Sequence, residues 1–236
     1  MNARVSLQPV FVLHNRQYGD SSLILEVLSR DYGRLSLVAK GYRKKHGNTL
    51  QVFAALLVSW TGRSELKTLT AAETQTSINN LAGRQLYAAL YVNELLIRLL
   101  PKHDAHPQIF EYYQTLLPAL AREQDFEPVL RSFELHLLAD LGYAINLSGD
   151  ALNGDPLQSD AVYRYVNEEG FYLSIVSGSE SAKADHFLGA DILAIGMGDY
   201  TKLETRRAAK RLMRLALAPL LGNKPLKSRE LFAQTK

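Results

Sequence analysis

Residues 29–45 read SRDYGRLSLVAKGYRKK, and this stretch decides how the N-terminal part of the chain is interpreted. Apolar and polar residues alternate from Arg34 to Lys40, which predicts a β-strand, because successive side chains of a strand point to opposite faces. One face then carries Leu35, Leu37 and Ala39. Arg34 and Lys40 lie on the other face, which we expect to be an exposed face of a sheet.

A basic loop follows this strand. Gly41 ends the strand, and the next residues are Tyr42, Arg43, Lys44 and Lys45. A basic strand face that leads into a basic, glycine-containing loop suits a polyanion that crosses a sheet. The alternative is a solvated surface strand with a charged loop.

Four more short runs of strand character lie within residues 1–80, separated by turn residues. They are Val10–His14, Leu23–Leu28, Ala54–Trp60 and Leu66–Ala72. Five short strands with one long basic loop predict a closed barrel of the OB type, occupying residues 1–80. We expect Trp60 to fill the core of this barrel.

The segment 81–142 has the spacing of three helices. Pro101 should end the first helix, Pro118 should bend or end the second, and Gly142 should cap the third. The rest of the chain is less regular: a loop at 146–160, a hairpin formed by 162–166 and 171–176, and a short helix within 187–196.

These elements predict an α+β protein. An N-terminal OB-fold β-barrel precedes a mostly helical domain at 81–236, with an inserted loop and hairpin at about 144–200 and a basic C-terminal helix. That helix, at 201–218, has a basic side opposite Ala208, Leu212 and Leu215. The basic side carries Arg206, Arg207, Lys210, Arg211 and Arg214. The alternative for this side is a solvated surface.

Charge is distributed unevenly along the chain. Residues 1–80 carry 10 Lys/Arg and 5 Asp/Glu, residues 81–200 carry 7 and 17, and residues 201–236 carry 10 and 2. Two basic ends on an acidic middle suggest that phosphates bind in two places. The alternative is that the basic ends pack on the acidic middle.

Several function classes lack their sequence signals. The chain has no cysteine, which excludes disulfides and a thiol nucleophile. We found no phosphate-binding loop, dinucleotide fingerprint, signal peptide or apolar run of membrane-spanning length. Asp150, Asp155 and Asp160 have the composition of magnesium ligands of a nuclease, but their setting is that of solvated loop residues. The sequence therefore favours a cytoplasmic binding protein that has no cofactor, no metal site and no catalytic residues.

With these residues laid out, the chain resembles the RecO family of bacterial DNA repair and recombination mediators nearly end to end. The segments that carry the resemblance are FVLHNRQYGDSSLILEVLSRDYGRLSLVAKGYRK at 11–44, LLVSWTGRSELKTL at 56–69, LYVNELLIRLL at 90–100, LRSFELHLLADLGY at 130–143 and KRLMRLALAPLLGNKPLKSRELF at 210–232. Many members carry a four-cysteine zinc site after the Leu-Gly-Tyr motif. Here no cysteine follows Tyr143, so the chain is similar to the zinc-free branch, and we expect its 144–160 loop to be held by packing.

The resemblance implies a DNA-binding, nucleoid-associated protein. It implies binding of single- and double-stranded DNA, annealing of complementary strands, and partnership with RecR. It also implies binding of the acidic C-terminal tail of single-stranded DNA-binding protein, and assistance in loading a recombinase. It implies neither nuclease nor ATPase activity. The alternatives are a metal-dependent repair nuclease and a purely protein–protein adaptor.

The candidate binding residues fall into three groups. On the barrel we expect phosphate contacts from Arg34, Lys40, Arg43, Lys44, Lys45, Arg63 and Lys67, with Tyr42 stacking on a base. A second DNA surface would use Arg207, Arg211 and Arg214. Arg131 and Leu135 are candidates for the partner's acidic tail, because a guanidinium pairs a carboxylate through two hydrogen bonds. The alternative for Arg131 is an internal ion pair with Glu127 or Glu134.

Overall fold

The computed structural model describes residues 4–42, 49–76, 81–174 and 184–233. The chain divides into two compact units. Unit 1 contains residues 1–124 and 225–236, and unit 2 contains residues 125–224. The C-terminal segment therefore returns to the unit that holds the N-terminus. The expected domain boundary at residue 80 stays a prediction.

Eight strands and six helices are formed by the described residues. The strands are β1 (Arg4–Tyr18), β2 (Ser22–Ser29), β3 (Gly33–Ala39), β4 (Ala55–Thr61), β5 (Leu66–Thr76), β6 (Val162–Val166), β7 (Gly170–Leu173) and β8 (His186–Leu188). The helices are α1 (Gly83–Leu99), α2 (Pro107–Arg122), α3 (Glu127–Asp140), α4 (Gly189–Gly196), α5 (Leu203–Leu221) and α6 (Lys227–Ala233).

The first five strands form a closed barrel in the order β1-β2-β3-β5-β4. β3 and β5 pair in parallel, and the other neighbours are antiparallel. The α+β prediction with an N-terminal OB-fold is confirmed. All five predicted strands are present.

The barrel core consists of the inward side chains of all five strands. Leu35, Leu37 and Ala39 point into it as the alternation predicted, and Trp60 is 1% exposed there. β1 is 15 residues long and pairs with both β2 and β4. Its register shifts twice, which bends the strand enough to close the barrel.

Two helices and the C-terminal helix complete unit 1. Pro101 follows α1, and Pro107 occupies the first turn of α2, where its missing N–H costs no hydrogen bond. α2 does not end at Pro118 but continues to Arg122. Phe11 of β1 packs against two aromatic rings of α2 at centroid distances of 5.0 Å, and these contacts hold α2 on the barrel.

Unit 2 combines α3, α4 and α5 with a small sheet of order β7-β6-β8. The hairpin of β6 and β7 and the short helix α4 were predicted. β8 was missed, because three residues are too few to show an alternation. No helix among the described residues is long and apolar enough to cross a lipid bilayer.

Candidate nucleic-acid interface

Arg34 is the second residue of β3, and its side chain forms hydrogen bonds within unit 1. Its Nε donates to the carbonyl of Leu100 at 3.0 Å and its Nη1 to Oε2 of Glu26 at 3.3 Å. The side chain is 13% exposed. The guanidinium therefore holds the segment after α1 against the barrel.

The prediction of an exposed outer face on β3 is wrong, because Ser36 and Val38 on that face are buried. Lys102 donates from Nζ to Oγ of Ser36 at 3.0 Å, and Ser36 in turn donates to Glu26 at 2.6 Å. The segment 100–104 thus covers the first half of the face that single-stranded ligands commonly use in this fold.

Gly33 shows how close this segment approaches. A Cβ on Gly33 would lie 1.8 Å from the carbonyl oxygen of Asp104, and its φ of +64° also favours glycine. The N–H of His103 donates to the carbonyl of Arg34 at 2.9 Å, beside the start of β3. Segment 100–104 is therefore fixed to the barrel by backbone contacts.

Three lysines lie around β3. Lys102 lies beside Arg34, and Lys40 follows the strand. Lys67 of β5 pairs with Leu37, so it leaves the sheet on the inner side, at the start of β5. Arg34 to Lys40 is six residue steps, or about 20 Å of strand. We call Lys102, Lys67 and Lys40 the basic row. Lys40 and Lys102 are exposed, and Lys67 is half-buried with its Nζ 3.2 Å from the carbonyl of Ser64.

Arg63 and His103 adjoin this row. Arg63 is exposed in the turn between β4 and β5. Burial, and then the positive charge of Lys67, lower the pKa of His103, against an opposing effect of Glu65. His103 is therefore neutral at pH 7, and the positive potential here comes from the lysines and Arg63.

Tyr42 lies at the other end of β3, half-buried against the barrel core. Its N–H donates to the carbonyl of Ser21 at 3.1 Å, which fixes the backbone after the turn at Gly41. Arg43, Lys44 and Lys45 lie outside the described residues.

The basic side of α5 is divided between interior and solvent. Arg207 and Arg214 are exposed. Arg211 donates from Nη2 to the carbonyl of His186 at 2.7 Å, and its guanidinium lies 4.5 Å above the Phe187 ring. Burial lowers the pKa of Arg211, although Asp191 opposes this effect. Arg211, one of the three residues predicted for a second DNA surface, is therefore bound within unit 2.

Two further cations of α5 also bind within unit 2. Arg206 pairs with Asp125 and donates to the carbonyl of Tyr200. Lys210 lies 3.6 Å from Glu127. The exposed cations on this side of the helix are thus Arg207 and Arg214.

Arg131 on α3 is buried and forms an ion pair within its own helix. Its Nη1 lies 2.6 Å from Oε2 of Glu134, whose side chain is fully buried. Burial raises the pKa of the neighbouring Tyr200; Arg131 opposes this shift and Glu134 adds to it. Leu135 is half-buried. The internal pair with Glu134 is one of the two alternatives that the sequence left open for Arg131.

The loop 144–160 is held by hydrogen bonds as well as by packing. Oδ1 of Asn146 accepts from the N–H of Ser148 at 3.0 Å. The carboxylate of Asp150 accepts from the N–H groups of Leu152 and Leu173 at 2.8 and 2.9 Å. Asp150 therefore has a structural role. Within residues 4–42, 49–76, 81–174 and 184–233, no three His, Asp or Glu side chains are grouped to hold a metal ion.

Sequence reasoning missed two groups of residues near the barrel. Lys102 and His103 were not among the predicted binding residues, because the helix stop at Pro101 does not show where the next residues pack. Asn15, Arg16 and Gln17 stand before the β1–β2 turn and line a pocket with Tyr42. Their signal was a run of three polar residues at a predicted strand end.

The strand order defines this chain as an OB-fold protein joined to helices, with exposed cations of the kind that bind polyanions. The chain belongs to the RecO family. The family model described as "Recombination protein O N terminal" matches residues 2–78, and "Recombination protein O C terminal" matches residues 81–230. The resemblance found in the sequence is therefore confirmed.

Three curated relatives show how complete the match is, and each is named "DNA repair protein RecO". That of Cellvibrio japonicus is 46% identical over 232 residues, covering 97% of both chains. That of Vibrio cholerae is 46% identical over 97% of this chain and 94% of the relative. That of Haemophilus influenzae is 43% identical over 97% and 96%.

Proposed function

We propose that this protein is a DNA-binding mediator of recombination that acts in DNA repair. Its relatives carry the name of DNA repair proteins, and the family to which it belongs is that of recombination protein O. The observation that carries the proposal is the group of lysines around β3 of an OB barrel, of which Lys40 and Lys102 are exposed. Cations grouped around a strand of this fold suit the phosphates of a single strand.

On the barrel, the proposed phosphate contacts are Lys40, Lys67, Lys102 and Arg63. Tyr42 is the proposed stacking residue, and Arg43, Lys44 and Lys45 remain in the proposal on sequence grounds. Arg34 is not among the proposed phosphate contacts, because its guanidinium donates hydrogen bonds to Leu100 and Glu26.

A second DNA surface is proposed at Arg207 and Arg214, both exposed on α5. Annealing brings two phosphate backbones together, and a protein with two cationic surfaces neutralises both strands. Arg211 is left out, because its guanidinium binds His186 and lies over Phe187. The surface on α5 is the one proposed for double-stranded DNA.

The proposed partners are RecR and the acidic tail of single-stranded DNA-binding protein. Through them the protein would help to load recombinase on coated single strands in the nucleoid. Arg131 and Leu135 stay the proposed tail contacts. For Arg131 this requires the tail carboxylate to compete with Glu134, which lies 2.6 Å away.

We further propose that the protein acts by binding and not by catalysis. The alternatives are a metal-dependent nuclease and an adaptor that binds only acidic peptides. Incubation of pure protein with plasmid, single strands and magnesium tests the first, because sustained cleavage would contradict our proposal. Binding of a naked oligonucleotide would exclude the second.

The decisive experiment is annealing of two complementary oligonucleotides coated with single-stranded DNA-binding protein, with its acidic tail intact or deleted. We expect acceleration that depends on the tail. Equal acceleration with and without the tail would support the annealing activity and contradict the proposed tail contacts at Arg131 and Leu135. No acceleration with either coating would overturn the mediator role.

A further inference from the structure

We propose that a pocket at one mouth of the barrel takes a single unpaired nucleobase. The pocket has a volume of about 340 Å³. It is lined by Asn15, Arg16, Gln17, Leu23, Tyr42, Leu50 and Gln51. This inference rests on the proposed binding of single-stranded DNA and deepens it, because it states what the strand inserts and where.

The lining residues have the chemistry that recognises a base. Asn15, Gln17 and Gln51 each offer an amide, which both donates and accepts hydrogen bonds and therefore matches the edge of any base. Leu23 and Leu50 are buried and supply apolar contact. A nucleobase has this same combination of polar edges and apolar faces.

Charge and aromaticity complete the match. Arg16 is exposed at the edge of the pocket, on the opposite face of β1 from Asn15 and Gln17, and suits the phosphate of the inserted nucleotide. Tyr42 provides an aromatic ring, on which a base of any sequence stacks. Among the described residues that line this pocket there is one cation and no carboxylate, so an anionic strand meets no opposing charge from them.

Two contacts join walls of the pocket to each other. Nδ2 of Asn15 donates to the carbonyl of Leu50 at 2.9 Å and joins β1 to the opposite wall. Gln17 pairs with Leu23 across the β1–β2 hairpin. A pocket that is already formed loses less conformational entropy on binding.

The pocket lies beside one end of the basic row. Leu23 pairs with Ala39, and Lys40 is the next residue along the chain. A strand whose phosphates contact the row thus reaches the pocket at Lys40. A base within a duplex is paired and stacked, so only a single strand can fill the pocket. The pocket would therefore make the barrel selective for unpaired DNA.

The test compares an oligothymidine with a fully abasic oligonucleotide of the same length and charge, both labelled for fluorescence anisotropy at one salt concentration. We expect the oligothymidine to bind roughly 5- to 150-fold more tightly, the range that stacking on one aromatic ring provides. Equal affinities would overturn the inference while leaving DNA binding intact. Failure of both strands to bind would instead overturn the proposed function.

Two variants locate the effect. Gln17→Ala combined with Gln51→Ala changes two exposed, uncharged side chains and is expected to reduce the preference for the base-bearing strand several-fold. Lys40→Ala is the matched control, and we expect it to weaken both strands equally. If the double variant keeps both the wild-type preference for the base-bearing strand and the wild-type melting temperature, the base does not bind in this pocket.

Discussion

Glu94 in α1 binds the start of α6 by accepting two hydrogen bonds from Ser228, which lies 134 positions further along the chain. The N–H and the hydroxyl of Ser228 donate to Oε2 at 2.9 and 2.7 Å, and the N–H of Lys227 donates to Oε1 at 3.0 Å. One carboxylate thus satisfies the free N–H groups at a helix start. It also fastens the returning C-terminal segment to unit 1.

Replacing Glu94 with Gln is expected to destabilise the protein by about 1 kcal/mol, the usual effect of a lost helix cap. In a chain of this size that lowers the melting temperature by about 2–4 °C. Glu123→Gln is the matched control, because it removes the same charge from an exposed carboxylate in unit 1. Equal melting temperatures for the two variants would show that the contact contributes nothing.

The effect of Glu94 should depend on pH. Burial alone raises the pKa of Glu94, but the hydrogen bonds from Ser228 and Lys227 and the charge of Arg98 lower it below its ordinary value. A lowered folded-state pKa means that the ionised group stabilises the fold above the unfolded-state pKa of about 4.3. This contribution is lost as the pH falls through the folded-state pKa. The difference between wild type and Glu94→Gln is therefore expected in full at pH 7 and should shrink below about pH 4.

The basic row can be tested through the salt dependence of DNA binding. Lys40→Ala and Lys67→Ala are each expected to lower the slope of log affinity against log salt by about 0.7 for a single strand, because each removes one phosphate contact. Arg30→Ala is the control, since Arg30 is exposed at the β2–β3 turn and bonded to Asp31 at 3.0 Å. An identical slope in all three variants would place the DNA elsewhere.

The interior of unit 1 offers a separate test of packing. Asn93 donates from Nδ2 to the carbonyl of Leu13 at 2.7 Å and accepts from the hydroxyl of Tyr113 at 2.5 Å, and this bridge joins β1, α1 and α2. Burial raises the pKa of Tyr113, so it stays protonated and donates throughout the physiological range. Asn93→Ala leaves the Leu13 carbonyl and the Tyr113 hydroxyl without their hydrogen-bond partner. We therefore expect the free energy of unfolding to fall by about 2–3 kcal/mol.

Tyr113→Phe removes only the hydroxyl and should cost about 1–2 kcal/mol. Because both changes break the same bond, the double variant is expected to lose less than the sum of the two. Urea unfolding of the four proteins measures this coupling. Strict additivity would mean that the bridge does not act as one unit.

Strand alternation and turn residues were enough to predict the barrel. The inward face of a strand, such as Leu35, Leu37 and Ala39 in β3, follows from the order of residues within one short segment. The outer face of β3 was not predictable in this way. What covers Ser36 is Lys102, 66 positions away, and no local pattern contains that contact.

The same limit applies to α5. The helical wheel correctly grouped its cations by angle, but it does not show that the Phe187 ring and the His186 carbonyl lie beside one of them. Arg211 and Arg214 are both arginines on the same side of one helix. Only the packing of β8 separates their roles.

That separation leads to a paired prediction. Arg211→Gln removes a cation from an aromatic ring and leaves a buried carbonyl without its donor, so we expect a loss of about 2 kcal/mol. Arg214→Gln removes an exposed charge and should change stability by less than about 0.5 kcal/mol. For duplex DNA we expect weaker binding with Arg214→Gln, measured by anisotropy. If Arg214→Gln binds duplex DNA with wild-type affinity, α5 is not part of the DNA-binding surface.

The tail site on α3 requires a variant that keeps unit 2 folded. Arg131→Ala alone leaves the buried carboxylate of Glu134 uncompensated, which is expected to cost about 3–5 kcal/mol and would abolish any activity for a trivial reason. Replacing both partners, Arg131→Met with Glu134→Leu, removes the charges together and is expected to restore most of that stability.

The double variant then distinguishes a loss of tail binding from a loss of folding. If Arg131 binds the acidic tail, we expect the folded Arg131→Met, Glu134→Leu protein to anneal naked oligonucleotides at the wild-type rate but to lose the acceleration that depends on the tail. A variant that is folded and retains tail-dependent acceleration would assign Arg131 wholly to its ion pair with Glu134. The exposed cations of α5, Arg207 and Arg214, would then be the next residues to test for the tail, because both face solvent.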